Sequence, residues 1–371
     1  MIGPMPPFRG GIAQHTMMLA LALAPKSELL VVSYVRQYPH WLYPGAGDID
    51  PDARRMDVSW CRYVIDSLNP WTWRRATEQV LAHSPDVVVL PWWSVYWAPC
   101  MAFMSRRFAN RGVSVLFVCH NVVDHEAGTW KRQLARIALA RGNRFIVQSD
   151  AQRQQLHELT GSSSITVHPH PIYVQFPDPE RTLPRRAALE LLFFGFVRPY
   201  KGLDVLLSAL ASSGKQDVKL TVAGEFWQGA DTAKKLINDL GIADRVELID
   251  RYVADAEAAA LFDRADAIVL PYRHATGSGV LGLAYRYRKP VIASRISGLA
   301  ELVLEGETGL LVEPGSETAL AAALNAMTAA RATAMVPAIK RQADGLTWDS
   351  LAATVMAPAP APVQSADRRC A

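Results

Sequence analysis

Short apolar runs rich in Val, Ile, Leu and Phe alternate with stretches of helical length through most of this chain, and that alternation limits its fold more than any other feature. A chain that returns to a strand after every helix builds a parallel sheet with helices on its faces. In the first half the strand-like runs are 29–35, 86–90, 114–119 and 144–148, with helical stretches near 12–24, 71–83, 101–110 and 131–141. In the second half they are 190–196, 219–223, 246–249, 267–270, 290–293 and 309–312, with helices at 203–212, 232–240, 254–264, 280–287 and 318–330. Continuous apolar runs, rather than alternating ones, suit strands covered on both faces.

The 371 residues are enough for two such domains. Between the two series, 176–186 is polar and proline-rich with no apolar period, which predicts a linker over 176–188. The expected architecture is α/β, with doubly wound parallel-sheet domains over 1–175 and 189–335. A helical segment at 336–356 is expected to return toward the first domain. The tail 357–371 alternates Ala and Pro and then turns polar, a composition without fixed structure. Two doubly wound domains leave a cleft at the carboxyl ends of their strands, so functional residues are expected just after strands.

Composition removes several function classes. Half of the residues are hydrophobic and 20% charged, which argues against general disorder. With 39 Lys and Arg against 35 Asp and Glu, the net charge of +4 is far from the dense basic field of a nucleic-acid binder. Cys61, Cys100, Cys119 and Cys370 are scattered without a C-x-x-C pair, indicating neither a disulfide framework nor a zinc site. A reducing cytoplasm is expected, and no charged region precedes the apolar run 17–24 as in a secretory signal. The uncharged stretch 87–105 reaches the length of about 18 residues that spans a bilayer. Pro91 and Pro99 interrupt it, and its start reads as a buried strand, with Trp92, Trp93 and Trp97 on the loop and helix start that follow.

Arg198 and Lys201 lie three apart on the loop from the first strand of the second domain into a helix. Two cations near a helix N-terminus make an anion site suited to a diphosphate, where the plain alternative is a solvated basic loop. Gly10 and Gly11 stand directly before a helix and allow a ligand close to free backbone amides, or form an ordinary turn. His120 and Asn121 follow the strand 114–119, and His125 and Glu126 come shortly after. A histidine just past a strand end can bond a hydroxyl or stabilise charge, though a lone histidine is often structural. His15 and Trp92 either reach the same cleft or pack in the core. Thr276, Gly277, Ser278, Gly279 and Val280 join a strand to a helix and offer consecutive amides to a sugar hydroxyl or phosphate. Residues 130–144 carry Lys131, Arg132, Arg136, Arg141 and Arg144 with no acid between them. Such a basic amphipathic helix fits an anionic bilayer surface or simply a solvated face packed on its own sheet.

Four stretches in order, Gly3-Pro-Met-Pro-Pro-Phe-Arg-Gly-Gly-Ile-Ala13, Phe193-Phe-Gly-Phe-Val-Arg-Pro-Tyr-Lys-Gly-Leu-Asp-Val-Leu-Leu207, Lys289-Pro-Val-Ile-Ala293 and Gly306-Glu-Thr-Gly-Leu-Leu-Val312, resemble a retaining, GT4-like bacterial glycosyltransferase of the two-domain GT-B type. The resemblance runs from Gly3 to about Met327. It implies that Arg198 and Lys201 neutralise the diphosphate of a UDP- or GDP-linked sugar, that Gly10 and Gly11 approach it, and that His120 lies beside the transferred sugar. It implies no metal and no cofactor besides the donor, a lipid-linked or saccharide acceptor, a role in polysaccharide or glycoconjugate synthesis, and a place at the cytoplasmic membrane face. In that family two glutamates eight positions apart contact the sugar and ribose, but here the aligned residues are Ala275 and Leu283. Donor hydroxyls then fall to the backbone of 276–280 or to Glu301. A sugar-nucleotide 2-epimerase and a catalytically silent binding protein share the architecture. Met1 and Ile2 leave little room for a first strand before Gly3, and an incorrectly assigned start or a natural truncation is expected, to be tested by intact mass.

Overall fold

The structure is a computed structural model that describes residues 1–39, 42, 47–50, 53–123, 128–172, 174, 176–227, 229–275 and 277–358. They form two compact units, one of residues 1–168 together with the chain from 348 onward, the other of residues 169–347.

The first unit runs α1 (Gly11–Leu23), β1 (Val31–Arg36), β2 (Cys61–Asp66), α2 (Pro70–Ala82), β3 (Val87–Trp92), α3 (Ala98–Ala109), β4 (Ser114–Cys119), α4 (Thr129–Leu139), β5 (Arg144–Val147), α5 (Asp150–Thr160) and β6 (Ile165–Val167). β1 pairs with β2, and β3, β4, β5 and β6 pair in that order, all parallel. Residues 1–3 join these two sheets: the Ile2 amide donates to the Val89 carbonyl at 2.9 Å, and the Val32 amide to that of Met1 at 2.9 Å. A stub with Ile2 fully buried thus takes the place of a central strand. The stretch 87–105 divides into β3, a 3₁₀ turn and α3. Trp92 ends β3 and is buried, rather than standing on the loop after it.

The second unit runs β7 (Leu189–Phe194), α6 (Leu203–Ser212), β8 (Val218–Ala223), α7 (Ala230–Asp239), β9 (Val246–Ile249), α8 (Asp255–Arg264), β10 (Ala267–Leu270), α9 (Gly279–Arg286), β11 (Val291–Ser294), α10 (Ser297–Ala300), β12 (Gly309–Val312), α11 (Glu317–Ala326) and α12 (Ala329–Gly345). Its six parallel strands lie in the order β12-β11-β10-β7-β8-β9. The unit begins before the proline-rich stretch expected as a linker. That stretch runs over the second unit, with the Phe176 carbonyl and Asp178 accepting from Arg286 and the Pro177 carbonyl from Tyr287.

The expected helical segment 336–356 is two helices: α12 stays in the second unit and α13 (Trp348–Met356) belongs to the first. α13 packs on α1 and is tied at both ends. Lys26 pairs with Asp349, His168 Nε2 lies 3.0 Å from Ser350 Oγ, and Arg144 donates to the carbonyls of Thr354 and Val355. Arg144 is therefore buried and holds the carboxyl end of a helix, a use of cations that the helix dipole favours; it does not extend the exposed basic face of α4. Cys100 and Cys119 are buried thiols pushed up by desolvation, which makes both poor nucleophiles. Cys370 and the tail from 359 lie outside the described residues. Among the described residues no single helix is long and apolar enough to cross a membrane.

Glu190, at the start of β7, is buried under Arg186, which reaches its carboxylate at 2.9 Å and also bonds Glu247 and Thr221. Arg264 reaches the same Glu247 oxygen at 2.9 Å. Glu190→Gln leaves these guanidinium groups one anion short, so a loss of about 3–5 kcal/mol in urea unfolding is expected. The network lies at the amino end of β7, at the opposite end of the strand from the loop of Arg198 and Lys201, so the loss should be one of stability alone.

Candidate functional site

In the second unit the chain passes from β7 to β8 on one side, while β10, the other neighbour of β7, is reached only after β9. Ligands of doubly wound sheets bind at such a reversal, outside the carboxyl ends of the strands. The loops after β7 and β10 both lie there. Lys201 closes a 3₁₀ turn, Pro199–Lys201, and only 8% of it is exposed. Its Nζ stands 5.5 Å from the Tyr272 ring centre and against Gly195, where an added Cβ would lie 3.3 Å from Nζ and 3.5 Å from Val280. The structure thus brings the loop of Arg198 and Lys201 beside Val280.

Burial, and then the charge of Arg198, pull the Lys201 ammonium down from its ordinary 10.5 to about 8. Among the described residues no carboxylate pairs with it. Two neighbouring cations, one desolvated and lacking an acid, form a site that favours an anion. The Arg198 guanidinium lies 3.6 Å from the centre of the Trp227 ring, which holds the plane of its donors. Arg273 braces the arrangement: it takes Asp204 at 2.9 and 2.6 Å and donates to the Pro199 carbonyl, linking the loops after β7 and β10. A cavity of about 420 Å³ lined by Val197, Arg198, Leu203, Phe226 and Leu236 opens beside it.

Ser278 caps α9, its hydroxyl accepting from the Leu281 amide, and Gly277, Gly279 and Val280 are half-buried around it. Thr276 lies outside the described residues. Leu283 is buried in the packing of α9 and Ala275 is half-buried, so neither position carries a carboxylate toward a sugar. Glu301 is exposed at the carboxyl end of α10, after β11.

In the first unit Gly10 caps α1 at φ 99°, a conformation that favours glycine, and an added Cβ there would meet nothing within 4 Å. Gly11, the first helical residue, is exposed. His120 follows β4, its amide bonding the Trp92 carbonyl at 2.8 Å. Gln148 Nε2 lies 3.1 Å from His120 Nδ1, and an amide nitrogen donates, so the ring proton belongs on Nε2. Gln152 bonds the His120 carbonyl and accepts from the Gln148 amide. Asn121 is half-buried next in the chain; His125 and Glu126 lie outside the described residues. His15 and Trp92 both pack inside: His15, 3% exposed, packs edge to face against the rings of His120 and Trp348, and the Trp92 indole donates to the Val122 carbonyl.

Gln148, Gln152, Trp227, Arg273 and Trp348 were not legible as site residues. Only Gln152 had a local signal, the Ser149-x-x-Gln spacing of a capped helix start, with Ser149 accepting from the Gln152 amide. Among the described residues no group of three His, Cys, Asp or Glu is placed to hold a metal ion.

Residues 10–171 match the family model described as a glycosyl transferase 4-like domain, and 188–329 match that of glycosyl transferases group 1. The chain is 29% identical over 241 residues to the D-inositol 3-phosphate glycosyltransferase of Actinosynnema mirum, covering 59% of this chain and 57% of that one; it spans little more than half the length of that relative. It is 26% identical over 354 residues, 89% of each chain, to a GDP-mannose-dependent alpha-(1-6)-phosphatidylinositol monomannoside mannosyltransferase of Mycolicibacterium smegmatis. Among solved structures, Anabaena HepE in complex with UDP and glucose superposes with a TM-score of 0.71 at 17% identity, over 95% of this chain and 98% of that one.

Proposed function

Since the chain belongs to the family 1/4 glycosyltransferases, with the GT-B fold of two Rossmann-like domains, we propose that it moves a hexose from a UDP- or GDP-linked donor to a lipid-linked or saccharide acceptor with retention of configuration. The buried Lys201 beside Arg198, at a strand-end reversal and with no acidic partner among the described residues, carries this reading. Both cations take the diphosphate, and charge that grows on the leaving phosphate as the bond to the sugar breaks is stabilised by donors already in place. The acceptor oxygen bonds the anomeric carbon on the face the phosphate leaves, and its proton passes to a phosphate oxygen. His120, held from Nδ1 by Gln148, serves the transferred sugar with its Nε2 proton. Since the two cations neutralise the phosphates, the reaction proceeds without a metal. UDP bound to HepE and the GDP-mannose dependence of the mycobacterial relative support a nucleotide-sugar donor.

Incubation with UDP-glucose, UDP-galactose and GDP-mannose and a panel of glycolipid and saccharide acceptors, with product analysis, tests the proposal. Transfer supports it; an epimerised donor would point to the epimerase reading. Ala275 and Leu283 favour one other reading, a nucleotide-binding protein without transfer, for which nucleotide binds and no donor is consumed.

α4 extends the proposal to the cytoplasmic membrane face, where polysaccharide and glycoconjugate precursors are lipid-linked. Trp130 and Ile137 are 63% and 51% exposed, and Arg132, Arg136 and Arg141 stand exposed around them, with Lys131 over the Trp130 ring. Vesicles containing phosphatidylglycerol should bind the chain and release it at high salt. The triple change of Arg132, Arg136 and Arg141 to Ser should weaken binding roughly a hundredfold, at about 1 kcal/mol per cation.

A further inference from the structure

The chain leaves the second unit at Thr347, and its next residue, Trp348, lies against the ring that packs on His120. The His15 ring centre is 4.3 Å from that of His120 with an interplanar angle of 88°, and 4.9 Å from that of Trp348 at 72°. Trp348 is 5% exposed. Each ring meets the next edge to face, a geometry that sets orientation as well as distance. α13 has ties besides this indole: Asp349, Ser350, Thr354 and Val355 are bonded to Lys26, His168 and Arg144, and Leu351, Ala352 and Val355 are buried.

We propose that His15 and Trp348 are positioning residues for His120: Trp348, the first residue of α13, backs the His15 ring, which in turn packs on that of His120. Gln148 selects the tautomer of His120 through its contact at Nδ1, and that contact holds only while His15 keeps the His120 ring in its plane. His15 is 3% exposed, and the Trp348 ring packed against it limits its turning. The α1 histidine is therefore a support rather than a ligand contact. The importance of this setting for transfer rests on the proposed role of His120 beside the sugar, but the setting itself does not.

The test uses the full chain labelled with ¹⁵N-histidine, without substrate, and assigns the His120 ring from the signal lost in His120→Gln. Nitrogen shifts of a single Nε2-protonated tautomer are expected in the native protein and in His15→Phe, which keeps a ring in place. Trp348→Leu and His15→Leu should move those shifts toward tautomer averaging. Leu351→Ala, which weakens the packing of the same helix, should leave them unchanged. If transfer is found with any of the three donors above, kcat in Trp348→Leu should fall about a hundredfold with the donor KM held, as for a group displaced by about an ångström. Should Trp348→Leu fail to fold, His15→Leu and Trp348→Phe carry the comparison. Native His120 shifts in the folded ring-removing variants overturn the proposal, whether or not the protein transfers sugar. A protein that consumes no donor but shows the expected shifts overturns only the transferase reading.

Discussion

Lys201→Met is expected to stabilise the unliganded protein and to abolish its stabilisation by UDP or GDP. The ammonium is held near 8 mainly by burial, so at neutral pH the fold carries a charge that it disfavours. An unbranched apolar side chain of similar length removes that cost, which is on the order of 3 kcal/mol. The folded-state value lies below the unfolded one, so the cost is fully present below about 8 and fades as pH rises toward 10.5, where the unfolded chain binds the extra proton. The native protein should therefore gain stability from Lys201 across that window, and Lys201→Met should not. A bound diphosphate gives the ammonium a partner and raises its pKa again. Nucleotide binding above about pH 8 should then take up a proton and weaken by as much as tenfold per pH unit. Calorimetry in buffers of different ionisation enthalpy measures the uptake, and thermal shifts with UDP and GDP measure the lost binding, expected at about a hundredfold or more. Unchanged nucleotide affinity in Lys201→Met and Arg198→Ala would reject the anion site.

Gly202→Ala should cost about 3 kcal/mol or more and take nucleotide binding with it. Gly202 turns the chain from the 3₁₀ turn of Lys201 into α6 at φ 68°, where an alanine is strained by about 1–2 kcal/mol. Its added Cβ would also lie 2.1 Å from the Pro271 carbonyl oxygen, backbone that cannot give way without moving the loop after β10. The shift reaches both sides of the anion site at once, because Lys201 precedes Gly202 and Tyr272 follows Pro271. Gly214→Ala is the control: its added Cβ meets nothing within 4 Å, its φ is not positive, and a change within about 0.5 kcal/mol is expected. Urea unfolding of both variants separates the site-specific strain from the general cost of replacing a glycine.

Strands buried on both faces were readable because their apolar runs are continuous: β4, β8 and β10 coincide with or lie within a residue of the expected runs. β2 and β6 were missed for the opposite reason. Cys61–Asp66 mixes Arg and Asp with Tyr, Val and Ile on a half-exposed sheet edge, and Ile165–Val167 has only three residues. Their pairing comes from a neighbour already in place, not from local pattern. The boundary at 168 was hidden for a similar reason, since the proline-rich stretch looks like a free linker until Arg286 and Tyr287 are seen to hold it.

By itself the sequence determined the α/β class, the two series of strands, and the loops where cations and glycines follow a strand end, because period, apolar content and residue order are local properties. Only the tertiary structure decided the chemistry of those loops. A lysine has its pKa pulled down to about 8 when it is buried beside Tyr272, Gly195 and Val280, and a histidine meets Gln148 at Nδ1 and the ring of His15, itself packed on Trp348, from three distant parts of the chain. Burial and ring orientation are set by neighbours in space, and a linear pattern carries no record of which neighbours those are.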